Sequence, residues 1–161
     1  MLISLILLGN VIYEYNVAYL SGDEMRSFNR SLSFETSRRY QLIDLTREVE
    51  EVVRESRVKN GFCLVYVPHA TAAIMVNEHE SGLMDDMLKK IKEEFPRGVG
   101  WKHDLIDDNA AAHLGSAFLS TSTVFPVINS RLVRGTWQNI FLVEMDGPRS
   151  RRKVVIQVLG E

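Results

Sequence analysis

Four histidines punctuate this chain of 161 residues, and three of them stand among side chains that could share chemistry with them. His69 lies in Val67-Pro68-His69-Ala70-Thr71-Ala72-Ala73, just past an apolar run, with Asn77-Glu78 close behind. A side chain there is held by rigid structure yet reaches solvent, and small residues let a ligand or another chain approach. Histidine in such a place serves as a metal ligand or as a general acid/base near neutral pH; the plainer alternative is a turn that it merely satisfies. Trp101-Lys102-His103-Asp104 leads into Asp107-Asp108-Asn109 and then His113. His113 follows Asn109 by four residues, so both share one face of a helix. If buried between Ala112 and Leu114 it needs a partner. Three histidines near carboxylates make a metal-site inventory, although their spacing follows no compact ligand motif. His79 reads as an exposed residue at a helix start.

Two further segments carry polar chemistry. Gly135-Thr136-Trp137-Gln138 combines a permissive glycine, a hydroxyl, an indole donor and an amide, which suits either an oriented pocket or a β-bulge beside a core tryptophan. Arg149-Ser150-Arg151-Arg152-Lys153 follows an Asp146-Gly147-Pro148 turn; clustered arginines there hold phosphate or form a solvated basic hairpin. Glu144, between Val143 and Met145, must be paired or protonated if it points inward. The single cysteine, Cys63, sits in an apolar run and reads as core.

The elements that must position these groups follow from periodicity. Residues 31–36 alternate as a half-buried strand, and 40–45 read as its hairpin partner through Ser37-Arg38-Arg39. Asp44 or Thr46 caps a helix to about residue 58, ended by Asn60-Gly61. Residues 62–67 read as a central strand buried on both faces, and 71–76 as another. Residues 80–95 have helical spacing; a polar loop and a helix through 117 follow, with Leu114 and Phe118 facing the core. Strands at 121–128, 132–133, 138–145 and 153–159 complete the chain, with a turn at Asn129-Ser130. This order is not a regular βαβ alternation. It predicts an α+β fold: a largely antiparallel sheet or sandwich with helices packed on one face.

Residues 1–29 read as an N-terminal appendage, which an upstream translation start would explain, and 30–161 as one domain. The apolar start, residues 1–8, lacks a basic lead and is far shorter than the ~20 residues a membrane span needs. A net charge of −2 argues against a nucleic-acid partner. A lone cysteine and the absence of a leader predict a cytoplasmic protein.

Together the segments Pro68–Ala73, Asn77-Glu78, His103-Asp104, Asp108-Asn109 with His113, Gly135–Gln138, Gly147-Pro148-Arg149 and Leu159-Gly160-Glu161 resemble the YjbQ-like family, small proteins known as secondary thiamine-phosphate synthases. The resemblance covers about Ser31 to Glu161. It implies a homotrimer and a site around His69, His103 and His113, within one chain or at a subunit boundary. Those histidines would bind a divalent metal, zinc or magnesium, or move protons, with Glu78, Asp104 and Glu144 orienting them. Arg149, Arg151 and Arg152 would hold phosphate, and Thr71, Asn77, Thr136, Trp137 and Gln138 would line the substrate pocket. The implied reaction joins a pyrimidine carried on diphosphate to a thiazole phosphate and releases diphosphate. A metal-dependent hydrolase or lyase acting on a small phosphorylated metabolite, and a non-catalytic metabolite-binding trimer, stay open. Ala70 stands where the family commonly has Thr or Ser, and Asn139 where it commonly has Gly; both bear on pocket shape.

Overall fold

Alternating apolar and polar residues build a large antiparallel sheet. The computed structural model describes residues 6–8, 11–19 and 25–161. Strand β3 (Arg26–Thr36) buries Phe28, Leu32 and Phe34 and turns its serines to the other face. It pairs with β10 (Arg149–Gly160) on one side and β2 (Val11–Tyr19) on the other. With β1 (Ile6–Leu8), β5 (Asn60–Tyr66), β7 (Ser122–Ile128) and β8 (Arg131–Leu132), the order is β1-β2-β3-β10-β5-β7-β8. Part of the 1–29 segment thus hydrogen-bonds to the domain's edge, and β3 begins at Arg26. The sequence also reads as broken at Gly9-Asn10 and at residues 21–24, and both places lie outside the described residues.

A second sheet has three strands in the order β4-β9-β6: β4 (Gln41–Asp44), β9 (Asn139–Glu144) and β6 (Ala72–Asn77). One face joins the inner face of the large sheet and α1 (Thr46–Ser56) through Ala72, Ile74, Ile140 and Leu142. The other packs Ala73, Val143 and Met145 against Ile91 of α2 (Ser81–Glu94) and Ala112 of α3 (Ala110–Leu119). Strand β9, covered on both faces, is the central buried strand. The α+β expectation, with antiparallel sheets and helices packed against them, therefore stands.

Four local readings change. Strand β4 does not form a hairpin with β3, because both edges of β3 are occupied by β2 and β10; it pairs with β9 instead. Strand β5 is buried on one face only: Cys63 and Val65 are enclosed, whereas Phe62 is 62% exposed. Helix α1 ends at Arg57, which takes the left-handed conformation itself (φ 56°), while Asn60 and Gly61 belong to β5. Helix α3 turns its small residues inward and Phe118 outward. A Cβ on Gly115 would lie 2.7 Å from Met145 Sδ, so a larger residue there requires the Met145 side chain to shift. Burial pushes the Cys63 thiol up to about 12, consistent with a core residue rather than a nucleophile. Among the described residues no helix is long and apolar enough to cross a membrane.

Candidate functional site

Sheet register decides which polar groups can meet. Glu144 of β9 stands opposite Gln41 and Ala72, and Asn139 stands opposite Asn77. These two ends of β9 are five residue steps apart, about 17 Å at strand rise. His69, Thr71, Glu144, Arg149 and Arg152 gather at the first end. Asn77, Glu78, Thr136, Trp137 and Gln138 lie at or beside the second. Within one chain the expected residues therefore divide between two places.

The first end is organised by a buried carboxylate. Glu144 is wholly enclosed. It accepts from Arg152 Nε (2.6 Å) and Nη2 (2.5 Å), from the Thr36 hydroxyl (2.9 Å) and from the Asp146 backbone N–H (2.8 Å). Arg152 Nη2 also donates to Thr71 Oγ1 at 2.9 Å. Arg152 is thus committed to the interior, whereas its neighbours Arg149 and Arg151 are exposed. The chain shifts register between Arg149 and Arg152, and this irregularity turns Arg152 inward and Arg151 outward. Asp146, read from sequence only as a turn residue, holds Arg149 Nη2 (2.5 Å), Arg39 Nη1 (3.3 Å) and Asn109 Nδ2 (3.2 Å). Gly147 permits this folding: a Cβ there would lie 2.1 Å from the Arg38 carbonyl oxygen.

His69 accepts the Lys153 backbone N–H on Nε2 at 2.9 Å. That nitrogen therefore carries no proton and is not open to a metal unless the bond breaks. Burial and then the Arg152 cation hold His69 below the usual histidine range, with Glu144 pulling the other way. The native state prefers neutral His69, whereas the unfolded chain protonates near the ordinary value of about 6.5. Stability is therefore full above that value and is lost as pH falls toward the lower native one. Urea midpoints measured at about pH 7.5 and about pH 5 should fall more steeply with acid for wild type than for His69→Gln. Parallel loss in the two proteins would remove His69 from the acid sensitivity.

His103 and His113 do meet. His103 lies on a 3₁₀ turn (Lys102–Leu105) and His113 in α3; their rings stand edge to face with centroids 4.8 Å apart. Asp104 Oδ1 accepts the Ala110 N–H at 2.9 Å, so it fastens the turn to the start of α3 rather than orienting a histidine. His113 is half-buried rather than a core histidine. Among the described residues neither ring has a hydrogen-bond partner, so their nitrogens stay available to a ligand. Asn109 Oδ1, buried one turn before His113, also has no partner among the described residues. Among the described residues no three His, Cys, Asp or Glu side chains converge as a metal site, so this pair has no third such ligand beside it.

At the second end, Thr136, Trp137 and Gln138 form an exposed turn closed by Gly135 N–H donating to Gln138 Oε1 at 2.7 Å. Asn77 Oδ1 accepts the Glu78 N–H at 2.9 Å. Sequence reasoning gave no chemical role to Asp44 and His79, which meet here at 2.6 Å. Burial works against the ionised Asp44, but hydrogen bonds from Thr46, His79 and Asn139 outweigh it and hold this carboxyl below its usual range. The residues come from three strands or their flanks, so only an Asp on β4 read together with a His after β6 could have signalled them.

A family model described as UPF0047 protein YjbQ-like matches residues 30–161. A UPF0047 protein of Archaeoglobus fulgidus is 47% identical over 124 residues, covering 77% of this chain and 96% of that protein. YugU, a UPF0047 protein of Bacillus subtilis, is 40% identical over 126 residues, covering 76% and 92% respectively. Among solved structures, a YbjQ-like protein of unknown function from Sulfolobus solfataricus superposes with a TM-score of 0.85 at 54% identity, covering 86% of this chain and 100% of that one. A hypothetical protein from Aeropyrum pernix gives 0.77 at 48% identity, covering 86% and 99%. The chain belongs to the YjbQ-like UPF0047 family.

Proposed function

We propose that this chain is a cytoplasmic, homotrimeric transferase acting on small phosphorylated metabolites, with the reaction its family resemblance implies. It joins a pyrimidine carried on diphosphate to a thiazole phosphate and releases diphosphate. The observation that carries this reading is the His103–His113 pair, two imidazoles without hydrogen-bond partners among the described residues. Asp146 places Arg149 at the same end of the sheet. A leaving diphosphate needs its charge neutralised, and arginine supplies both charge and paired donors. His69, fixed through Nε2, has Nδ1–H left as a donor to a bound phosphate on this side.

The donor set also fits half of a metal site. His103 and His113 would hold a divalent ion, and imidazole favours zinc over magnesium, which prefers oxygen ligands. Bound zinc would polarise a phosphoryl oxygen. Catalytic zinc usually takes three protein ligands, so the third would come from a second copy. Apolar side chains open to solvent support such assembly: Phe62 (62%), Val124 (57%) and Ile128 (51%) on the outer sheet, and Leu105 (89%) and Phe118 (78%) near the histidine pair. The same pair supports a second reading, metal-dependent hydrolysis of a phosphorylated metabolite.

The test incubates purified, untagged protein with both substrates and Mg²⁺ and measures thiamine phosphate by fluorescence after oxidation. Product above a no-protein blank is the expected result. Its absence in a folded trimer overturns the transferase reading. Release of inorganic phosphate from either substrate alone, with zinc bound, then favours the hydrolase; tight binding without turnover favours a metabolite-binding trimer.

A further inference from the structure

Asp44 lies at the opposite end of the three-stranded sheet, and its carboxylate is fully occupied. Oδ1 accepts from the Thr46 backbone N–H at 2.8 Å and from the Thr46 hydroxyl at 2.5 Å. Oδ2 accepts from the Asn139 amide at 2.9 Å and stands 2.6 Å from His79 Nδ1. A carboxylate offers about four lone-pair positions, and four donors fill them here. In the neutral imidazole Nδ1 must then carry the proton, since two acceptors at that distance would repel. Nε2 is left with the lone pair. The ring stands edge-on to Phe141 with centroids 5.5 Å apart, and the His79 side chain is 47% exposed. The imidazole is thus oriented through Nδ1 on a side chain half open to solvent, the arrangement that general-base chemistry requires.

The surroundings narrow the ligand. Trp137, two residues before Asn139, is 68% exposed, an indole on which a planar ring can stack. The one cation of that turn, Arg134, is committed: Nε donates to Glu50 at 2.8 Å and Nη1 to the Gly135 and Gln138 carbonyls. Glu78 and Glu80 flank His79 in the chain. Acidic flanks without a spare arginine on the turn disfavour an anion and suit a neutral aromatic compound.

We propose that Asp44 and His79 form a second catalytic centre, which hydrolyses small neutral aromatic esters by general-base activation of water. His79 Nε2 takes a proton from the water, whose oxygen adds to the ester carbonyl carbon. The bond from that carbon to the alcohol oxygen breaks, and the imidazolium returns the proton to the departing oxygen. The products are the carboxylic acid and the alcohol. His79 is the catalytic residue; Asp44 is a positioning residue that stays ionised and holds Nδ1–H. This centre does not depend on the transferase reading.

The probe is 4-nitrophenyl acetate with the full chain, compared with free imidazole at equal concentration. Wild type is expected to exceed imidazole, and His79→Gln and His79→Asn to lose about 10²-fold in kcat/KM. Trp137→Ala should raise KM and leave kcat in place, whereas Lys90→Gln, on the exposed side of α2, should match wild type. Asp44→Asn should lower kcat and change the His79 tautomer seen in long-range ¹H–¹⁵N correlations, a readout that a purely structural Asp44 would not move. A wild-type rate no greater than that of imidazole overturns the proposal. So does full activity in folded His79→Gln and His79→Asn, or an unchanged His79 tautomer in Asp44→Asn.

Discussion

Replacing Glu144 by glutamine is expected to destabilise the chain by about 3–5 kcal/mol, the usual cost of removing one partner from a buried ion pair. The carboxylate is fully enclosed, and both of its oxygens accept hydrogen bonds from Arg152, whose side chain is only 5% exposed. Glutamine keeps the shape but removes the charge, and it points an amide donor at groups that are themselves donors. Arg152 would then lie buried without a counter-charge, and the Thr36 hydroxyl or the Asp146 N–H would lose its acceptor. Urea denaturation measures the loss directly. A double variant, Glu144→Gln with Arg152→Met, should lose less than the sum of the single variants, because the second change removes the stranded cation. A single-variant loss below about 1 kcal/mol would mean that water reaches the pair and screens it. The same result bears on function: if Glu144 serves the interior, its replacement alters activity through stability and should be milder where the fold is intact.

The second large effect is expected at the His103–His113 pair. His113→Ala and His103→Ala should each lower thiamine-phosphate formation by about 10²–10⁴-fold, the range for loss of an acid–base group. Neither ring has a hydrogen-bond partner among the described residues, and His103 is exposed, so the folded state loses little by truncation. The measurement is kcat/KM for product formation beside a urea midpoint, with His113→Gln as a variant that keeps bulk. Losses confined to the midpoint would reduce the pair to a packing contact. If zinc is present in wild type, elemental analysis should show it lost in both alanine variants and retained in Lys90→Gln. The second centre at Asp44 and His79 should be untouched by these changes, since its hydrogen bonds run to Thr46 and Asn139 and none to the His103–His113 pair.

Local rules made much of the framework legible. Alternation marked the second half of β3, apolar runs located β5 and β7, helical spacing placed α2 within a residue of its observed bounds, and the turn read at Asn129-Ser130 is there, with both residues at positive φ. The hairpin assigned to β3 and β4 was not recoverable this way. Its failure depends on β2 and β10 reaching the edges of β3 first, and residues that distant in the chain leave no trace in a local window. Phe62 and Phe118 were assigned inward for the same reason. Their apolar character is plain, but which face meets the core depends on how the layers stack.

The histidines show the division most clearly. Sequence by itself marked His69, His103 and His113 as unusual and, through the surrounding segments, identified the family. It could not show that His69 already spends Nε2 on Lys153, that Glu144 and Arg152 satisfy each other, or that Asp44 engages His79. Those outcomes are set by strand register, where one residue step moves a side chain to the other face and a few steps carry it to the other end of the sheet. Side-chain chemistry is written residue by residue; which groups neutralise one another and which stay open to a ligand was decided only when β9 placed Glu144 at one end and Asn139 at the other.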